Sequence, residues 1–144
     1  MAPRFPDAAA ATHQDAGPSL DPERFAVLTE MCRAPGSRST IDAIVDAFVE
    51  DGDLRVVEME GSLRARDLAA LADLAHELTG SSASVGAAAL SALASGLQRQ
   101  AAAAARRSPI EVSDVEDIER MLDLAVAEFR RAETAFRTAL RDLR

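Results

Sequence analysis

Apolar residues recur every three or four positions over long stretches of the chain, a period that predicts helices rather than strands. One predicted helix opens at STIDAIVDAF, with Ile41, Val45, Phe48, Val56, Met59 and Leu63 on one stripe. Ser39 and Asp42 stand in capping-box spacing at its start, and the pattern runs to about Arg64. Gly52 falls on the stripe and is expected to weaken this helix locally. The next helix starts near Arg66 and Asp67 and carries Leu68, Leu71, Ala75, Leu78 and Val85, with Gly86 as its stop. AAALSALASGLQRQAAAAA makes another through Leu90, Leu93 and Leu97, ended before Pro109 because proline cannot continue the pattern.

The last helix has the clearest pattern. Val115, Ile118, Leu122, Ala125, Phe129, Ala132, Phe136 and Leu143 keep a heptad stripe, and Ser113 with Glu116 forms a capping box. Acids crowd its start (Asp114, Glu116, Asp117) and arginines its end (Arg137, Arg141, Arg144), complementing the helix dipole. A short helix precedes all of these at SLDPERFAVLTEM. Asp21 suits its N-cap, Pro22 its first position and Glu23 its first turn, while Phe25, Leu28 and Cys32 share a face before Pro35 and Gly36 end it. One apolar stripe per long helix and short connections predict an all-α fold, an antiparallel four-helix bundle with a short additional N-terminal helix. Residues 19–144 form this bundle domain. Residues 1–18 have no periodicity and read as a disordered tail, in which His13 has no role.

Composition narrows the class. Alanine and leucine dominate, only 3% of residues are aromatic, and Trp and Tyr are absent, which disfavours β structure. A net charge of -8 and a pI of about 4.7 make nucleic acid and anionic membranes poor partners. No stretch approaches the roughly 20 apolar residues of a membrane span, and no signal-peptide pattern opens the chain. The single cysteine, Cys32, forbids an intramolecular disulfide and fits a reducing compartment, so a cytoplasmic protein is expected.

Candidate chemistry centres on HELTGSSASVGA, His76 to Ala87. On a helical wheel of about 100° per residue His76 lies about 140° from Leu71, outside the apolar stripe. Its neighbours one turn away are Ala72, Asp73, Thr79 and Gly80, and Ala69 and Ala83 extend the same low surface. Gly80 costs roughly 1 kcal/mol relative to alanine inside a helix, and propensity alone would break the helix at TGSSAS. The functional counterpart is that Gly80 clears room for another molecule to approach the imidazole. A neutral imidazole nitrogen is a competent nucleophile at pH 7 and needs no base, because the attacking nitrogen carries no proton.

Other chemistries fit poorly. Gly80 to Gly86 has the wrong spacing for a P-loop, and Gly-Ser-Ser-Ala-Ser lacks the second glycine and preceding strand of a nucleophile elbow. Two histidines and one cysteine on separate elements make no metal site. Glu58 with Glu60, and Asp114 with Glu116 and Asp117, read as solvated faces and helix-end charge rather than acid–base pairs.

The run His76-Glu77-Leu78-Thr79-Gly80-Ser81-Ser82, followed by Gly86-Ala87, resembles the motif of the histidine phosphotransfer (HPt) family, and the helix order from about residue 20 onward is similar to the family's. The resemblance implies a phosphocarrier without catalytic activity or cofactor of its own. His76 would accept a phosphoryl group from a receiver-domain aspartate and pass it to another receiver. Thr79 and Gly80 would surround the phosphoryl group, and Ala69, Ala72, Asp73 and Ala83 would form the receiver-docking face. Implied partners are response-regulator receiver domains or a hybrid histidine kinase, met by a monomer, with the receiver supplying Mg²⁺. Thr79 departs from the pattern, which usually has lysine there; Arg64, Arg66 and Arg99 are basic residues that could compensate, and the sequence places none of them beside the ring. The alternatives are a non-phosphorylated adaptor with the same fold, which binds and regulates a kinase or receiver, and a structural dimer joined through the last helix.

Overall fold

The computed structural model describes residues 37–142 together with Leu20, Asp21, Glu23, Ala26, Val27 and Glu30. These residues contain four long helices and no strand: α1 (Ser37–Arg64), α2 (Leu68–Ser84), α3 (Ala88–Ala105) and α4 (Val112–Asp142). Each packs on its neighbours in sequence, and α1 closes the ring against α4, so the short connections yield an antiparallel four-helix bundle. Of the short preceding helix, Glu23, Ala26, Val27 and Glu30 are helical, and the Glu23 amide donates to Asp21 Oδ1 at 3.0 Å, as an N-cap aspartate requires. The tail expected over 1–18 lies outside the described residues, as do Pro22, Phe25, Leu28, Cys32, Pro35, Gly36, Leu143 and Arg144.

Two turns set the register around α2. Arg66 has a φ of 58° and Gly86 one of 82°. The Arg66 amide donates to Leu63 and that of Asp67 to Ser62, while Gly86 donates to Ala83 and Ala87 to Ser82. Both are Schellman ends, in which a left-handed residue lets the chain satisfy the last carbonyls and reverse. Glycine supplies that conformation freely at position 86. Arg66 adopts it against its Cβ, and its guanidinium anchors the turn by donating to the Leu63 carbonyl at 2.6 Å. The Asp67 carboxylate then caps α2 by accepting from the Ala70 amide at 3.1 Å.

The expected stripes form the core: Ile41, Val45, Phe48, Val56, Met59 and Leu63 from α1; Leu68, Leu71, Ala75 and Leu78 from α2; Leu90 and Leu97 from α3; and seven of the α4 heptad residues, Val115 through Phe136. Leu93 is only partly buried, and Leu140 continues the last stripe. Gly52 is buried because Phe129 occupies its side-chain space: a Cβ there would lie 2.2 Å from Phe129 Cε1. Its role is thus close approach of α1 to α4 rather than local weakness. Phe48 meets Phe129 and Phe136 edge-on at 5.6 and 5.8 Å, and the Asp53–Arg130 and Asp46–Arg137 pairs flank this contact. The carboxylate of Asp53 holds the Arg130 guanidinium above its ordinary pKa.

Three local expectations are corrected. α1 begins at Ser37 and α4 at Val112, so Ser39 and Ser113 lie inside their helices rather than at the caps. At the start of α4 the first intrahelical carbonyl belongs to Glu111, which accepts from the Val115 amide at 3.3 Å. Asp114 is not solvated helix-end charge. It is 7% exposed and pairs with Arg107 from the preceding loop, raising the Arg107 pKa through that hydrogen bond.

Ser82 is fully buried, and among the described residues its hydroxyl has no hydrogen-bond partner. Burial of a hydroxyl without a partner is unfavourable, so Ser82→Ala is expected to raise stability by roughly 1 kcal/mol. Urea unfolding should show this as a higher midpoint at unchanged slope.

Candidate functional site

α2 continues through the glycine and serines where propensity alone would end it, and their short polar side chains turn back onto their own helix. Thr79 Oγ1 donates to the Ala75 carbonyl at 2.8 Å, Ser81 Oγ to Leu78 at 3.3 Å and Ser84 Oγ to Gly80 at 3.0 Å. Such back-bonding folds short polar side chains down against the backbone. Gly80 is exposed, and a Cβ there would meet nothing within 4 Å, so its missing side chain serves no packing among the described residues. The outer face of α2 is therefore low around the imidazole.

His76 is exposed on that face, as its wheel position predicts. Its Nδ1 lies 3.3 Å from Oε1 of Gln98 on α3. An amide oxygen only accepts, so the ring donates from Nδ1, and the neutral tautomer leaves a lone pair on Nε2. A second link joins the same two helices, Ser91 Oγ donating to the Thr79 carbonyl at 3.0 Å. On the other side of the histidine, Glu77 accepts from Arg55 Nε of α1 at 3.3 Å. The imidazole is thus flanked by one amide from α3 and by an ion pair to α1.

Ala69, Asp73 and Ala83 share the exposed surface with His76. Ala72 does not. It is 8% exposed, because it sits one residue, about 100°, from Leu71 at the border of the buried stripe. Of the basic residues weighed for the missing lysine, Arg64 ends α1, Arg66 is held on the Leu63 carbonyl, and Arg99 donates from Nη1 to Ser95 Oγ at 2.8 Å on α3. Gln98 and Arg55 are not evident from the sequence around His76. Gln98 had a usable clue: the turn at Gly86 is ten residues past His76, so the mirror position on the antiparallel helix is Gly96, within a turn of Gln98.

His76 stands on an open surface. Two grooves, one between α1 and α2 reaching Asp73 and Leu74, the other beside Arg137 and Arg141, do not include it. Among the described residues no group of three histidine, cysteine or acidic side chains could hold a metal ion, and no helix is long and apolar enough to cross a membrane.

Neither curated proteins nor solved structures yielded a match to the chain. A family model, the Hpt domain, matches residues 43–128, more than half of the 144 residues, from the buried stripe of α1 through His76 and Gln98 to Glu128 of α4. Domains of this kind are phosphocarrier modules that interact with receivers and kinases in two-component signalling. Motif, bundle and family match agree, and the chain belongs to the Hpt domain family.

Proposed function

We propose that His76 is the phosphoacceptor, taking a phosphoryl group from a receiver-domain aspartate and passing it to another receiver. The observation that carries this is the exposed imidazole whose Nδ1 lies 3.3 Å from Gln98 Oε1, a contact that assigns the ring proton to Nδ1 and the lone pair to Nε2. In the transfer an Nε2–P bond forms as the aspartyl O–P bond breaks, and the carboxylate leaves on the receiver. The ring gains positive charge and keeps its Nδ1 proton, which Gln98 Oε1 continues to accept. The reverse sequence loads the second receiver. Positioning and electrostatics carry most phosphoryl-transfer chemistry, and a flat, open surface leaves those groups to the partner. Ala69, Asp73 and Ala83 form the docking face beside the open space at Gly80, with Ala72 beneath it. The protein acts as a monomer in the cytoplasm.

Gln98 is a positioning residue in this reading. Gln98→Leu removes the acceptor for Nδ1–H, and loss of one hydrogen bond worth about 1 kcal/mol is expected to slow transfer about fivefold. Imidazole ¹⁵N shifts should show a mixture of tautomers in the variant and one tautomer in the wild type.

The adaptor reading keeps one observation in its favour: position 79 carries no cation, and the Thr79 hydroxyl is already committed to the Ala75 carbonyl. Incubation with a phosphorylated receiver separates the two. Acid-labile, base-stable label on the protein supports the carrier; binding to receivers or kinases with no label overturns it in favour of the adaptor.

A further inference from the structure

We propose that Arg55 is a positioning residue of the phosphoryl site: from α1 it holds the Glu77 carboxylate on the α1 side of α2, where an arriving phosphoryl group does not meet it. The inference rests on the carrier reading of His76. His76 and Glu77 are adjacent in sequence and about 100° apart round α2, and each makes its contact with a different flanking helix. His76 Nδ1 lies 3.3 Å from Gln98 Oε1 of α3, whereas the Glu77 carboxylate accepts from Arg55 Nε of α1 at 3.3 Å.

A phosphoryl group brings about -1.5 to -2 of charge to its site. Asp73, exposed one turn before the histidine, already places one carboxylate on this surface. A released Glu77 side chain is long enough to fold toward the ring and add a second. Repulsion between charges at the spacing of neighbouring side chains is felt through water, and it opposes the approach of any anionic phosphoryl donor.

Stability alone does not account for the arginine. Its side chain is only 20% exposed, and its Nη1 is buried with no hydrogen-bond partner among the described residues. Burial of a guanidinium with an unmet donor is unfavourable, and an apolar side chain of similar length avoids that cost. Glu77 gains little from the pair either. It is 57% exposed, so water solvates its carboxylate once the arginine is gone. What the pair fixes is where the carboxylate beside the histidine lies.

Direct loading of His76 by phosphoramidate tests this without a cognate receiver: Nε2 attacks phosphorus, the P–N bond of the reagent breaks, and ammonia leaves. Arg55→Met should load roughly threefold more slowly than wild type at low salt, with an unfolding midpoint near wild type. The defect should shrink at about 1 M salt, where charges are screened within about 3 Å. Arg55→Lys, which keeps the charge, and Glu77→Gln should each load at least as fast as wild type. Arg55→Met combined with Glu77→Gln should return to the wild-type rate, because no carboxylate remains to be held. Equal loading of wild type and Arg55→Met at low salt overturns the inference and leaves the carrier reading intact. A midpoint far below wild type, a defect unchanged by salt, or a slow Arg55→Met that Glu77→Gln fails to rescue also overturns it, since each assigns Arg55 a structural role. Failure of the wild type to load at His76 overturns the carrier reading, and this inference with it.

Discussion

His76→Gln is expected to fold as the wild type does and to take up no phosphoryl group at all. The ring is exposed and contributes no core contact; its single described bond, to Gln98, lies at the surface, where a change is usually worth less than about 0.5 kcal/mol. Glutamine keeps polarity and reach but has no nitrogen lone pair, since the amide nitrogen is conjugated with its carbonyl. Loss of labelling should therefore be complete while the urea midpoint and receiver binding stay near wild type. A variant that still labelled would place the acceptor elsewhere.

The second large effect is on stability and sits at the α1–α4 contact. Glycine to alanine inside a helix ordinarily stabilises by up to about 1 kcal/mol. At position 52 the sign is expected to reverse. The added methyl would meet Phe129 Cε1 at 2.2 Å, and the ring cannot swing aside, because it is fully buried and held edge-on by Phe48. Overpacking of this kind costs typically 1–3 kcal/mol. Phe129→Ala, which leaves a cavity instead, should cost about 3–5 kcal/mol. Combining Gly52→Ala with Phe129→Leu should lose less than the sum of the single changes, because the smaller side chain makes room for the methyl. Denaturant midpoints of the four proteins check this; additive losses would mean that the two positions do not touch.

Much of this molecule was legible from spacing. Stripes of 3.6-residue period gave the buried faces, and the turn at Gly86 and the start of α2 near Asp67 were readable because each depends on a few adjacent residues. His76 was legible as an outward imidazole for the same reason. What failed has a common cause. Gly52 looked like a weak point because its partner, Phe129, lies on another helix, 77 positions away. Asp114 looked solvated because Arg107 reaches it only through the fold of the α3–α4 connection. Gln98 and Arg55 escaped because the register between helices, not the sequence around His76, brings them to the site. Ser39 and Ser113 show the converse error: a local capping pattern loses to a helix that starts two residues or one residue earlier.

If one nitrogen of one residue carries the phosphoryl group, nuclear magnetic resonance of the ¹⁵N-histidine-labelled protein after phosphoryl loading will locate it. Phosphorus is expected to couple to Nε2 of His76, with Nδ1 still protonated and hydrogen-bonded to Gln98. Phosphorus on Nδ1, on His13 or on no histidine would contradict it.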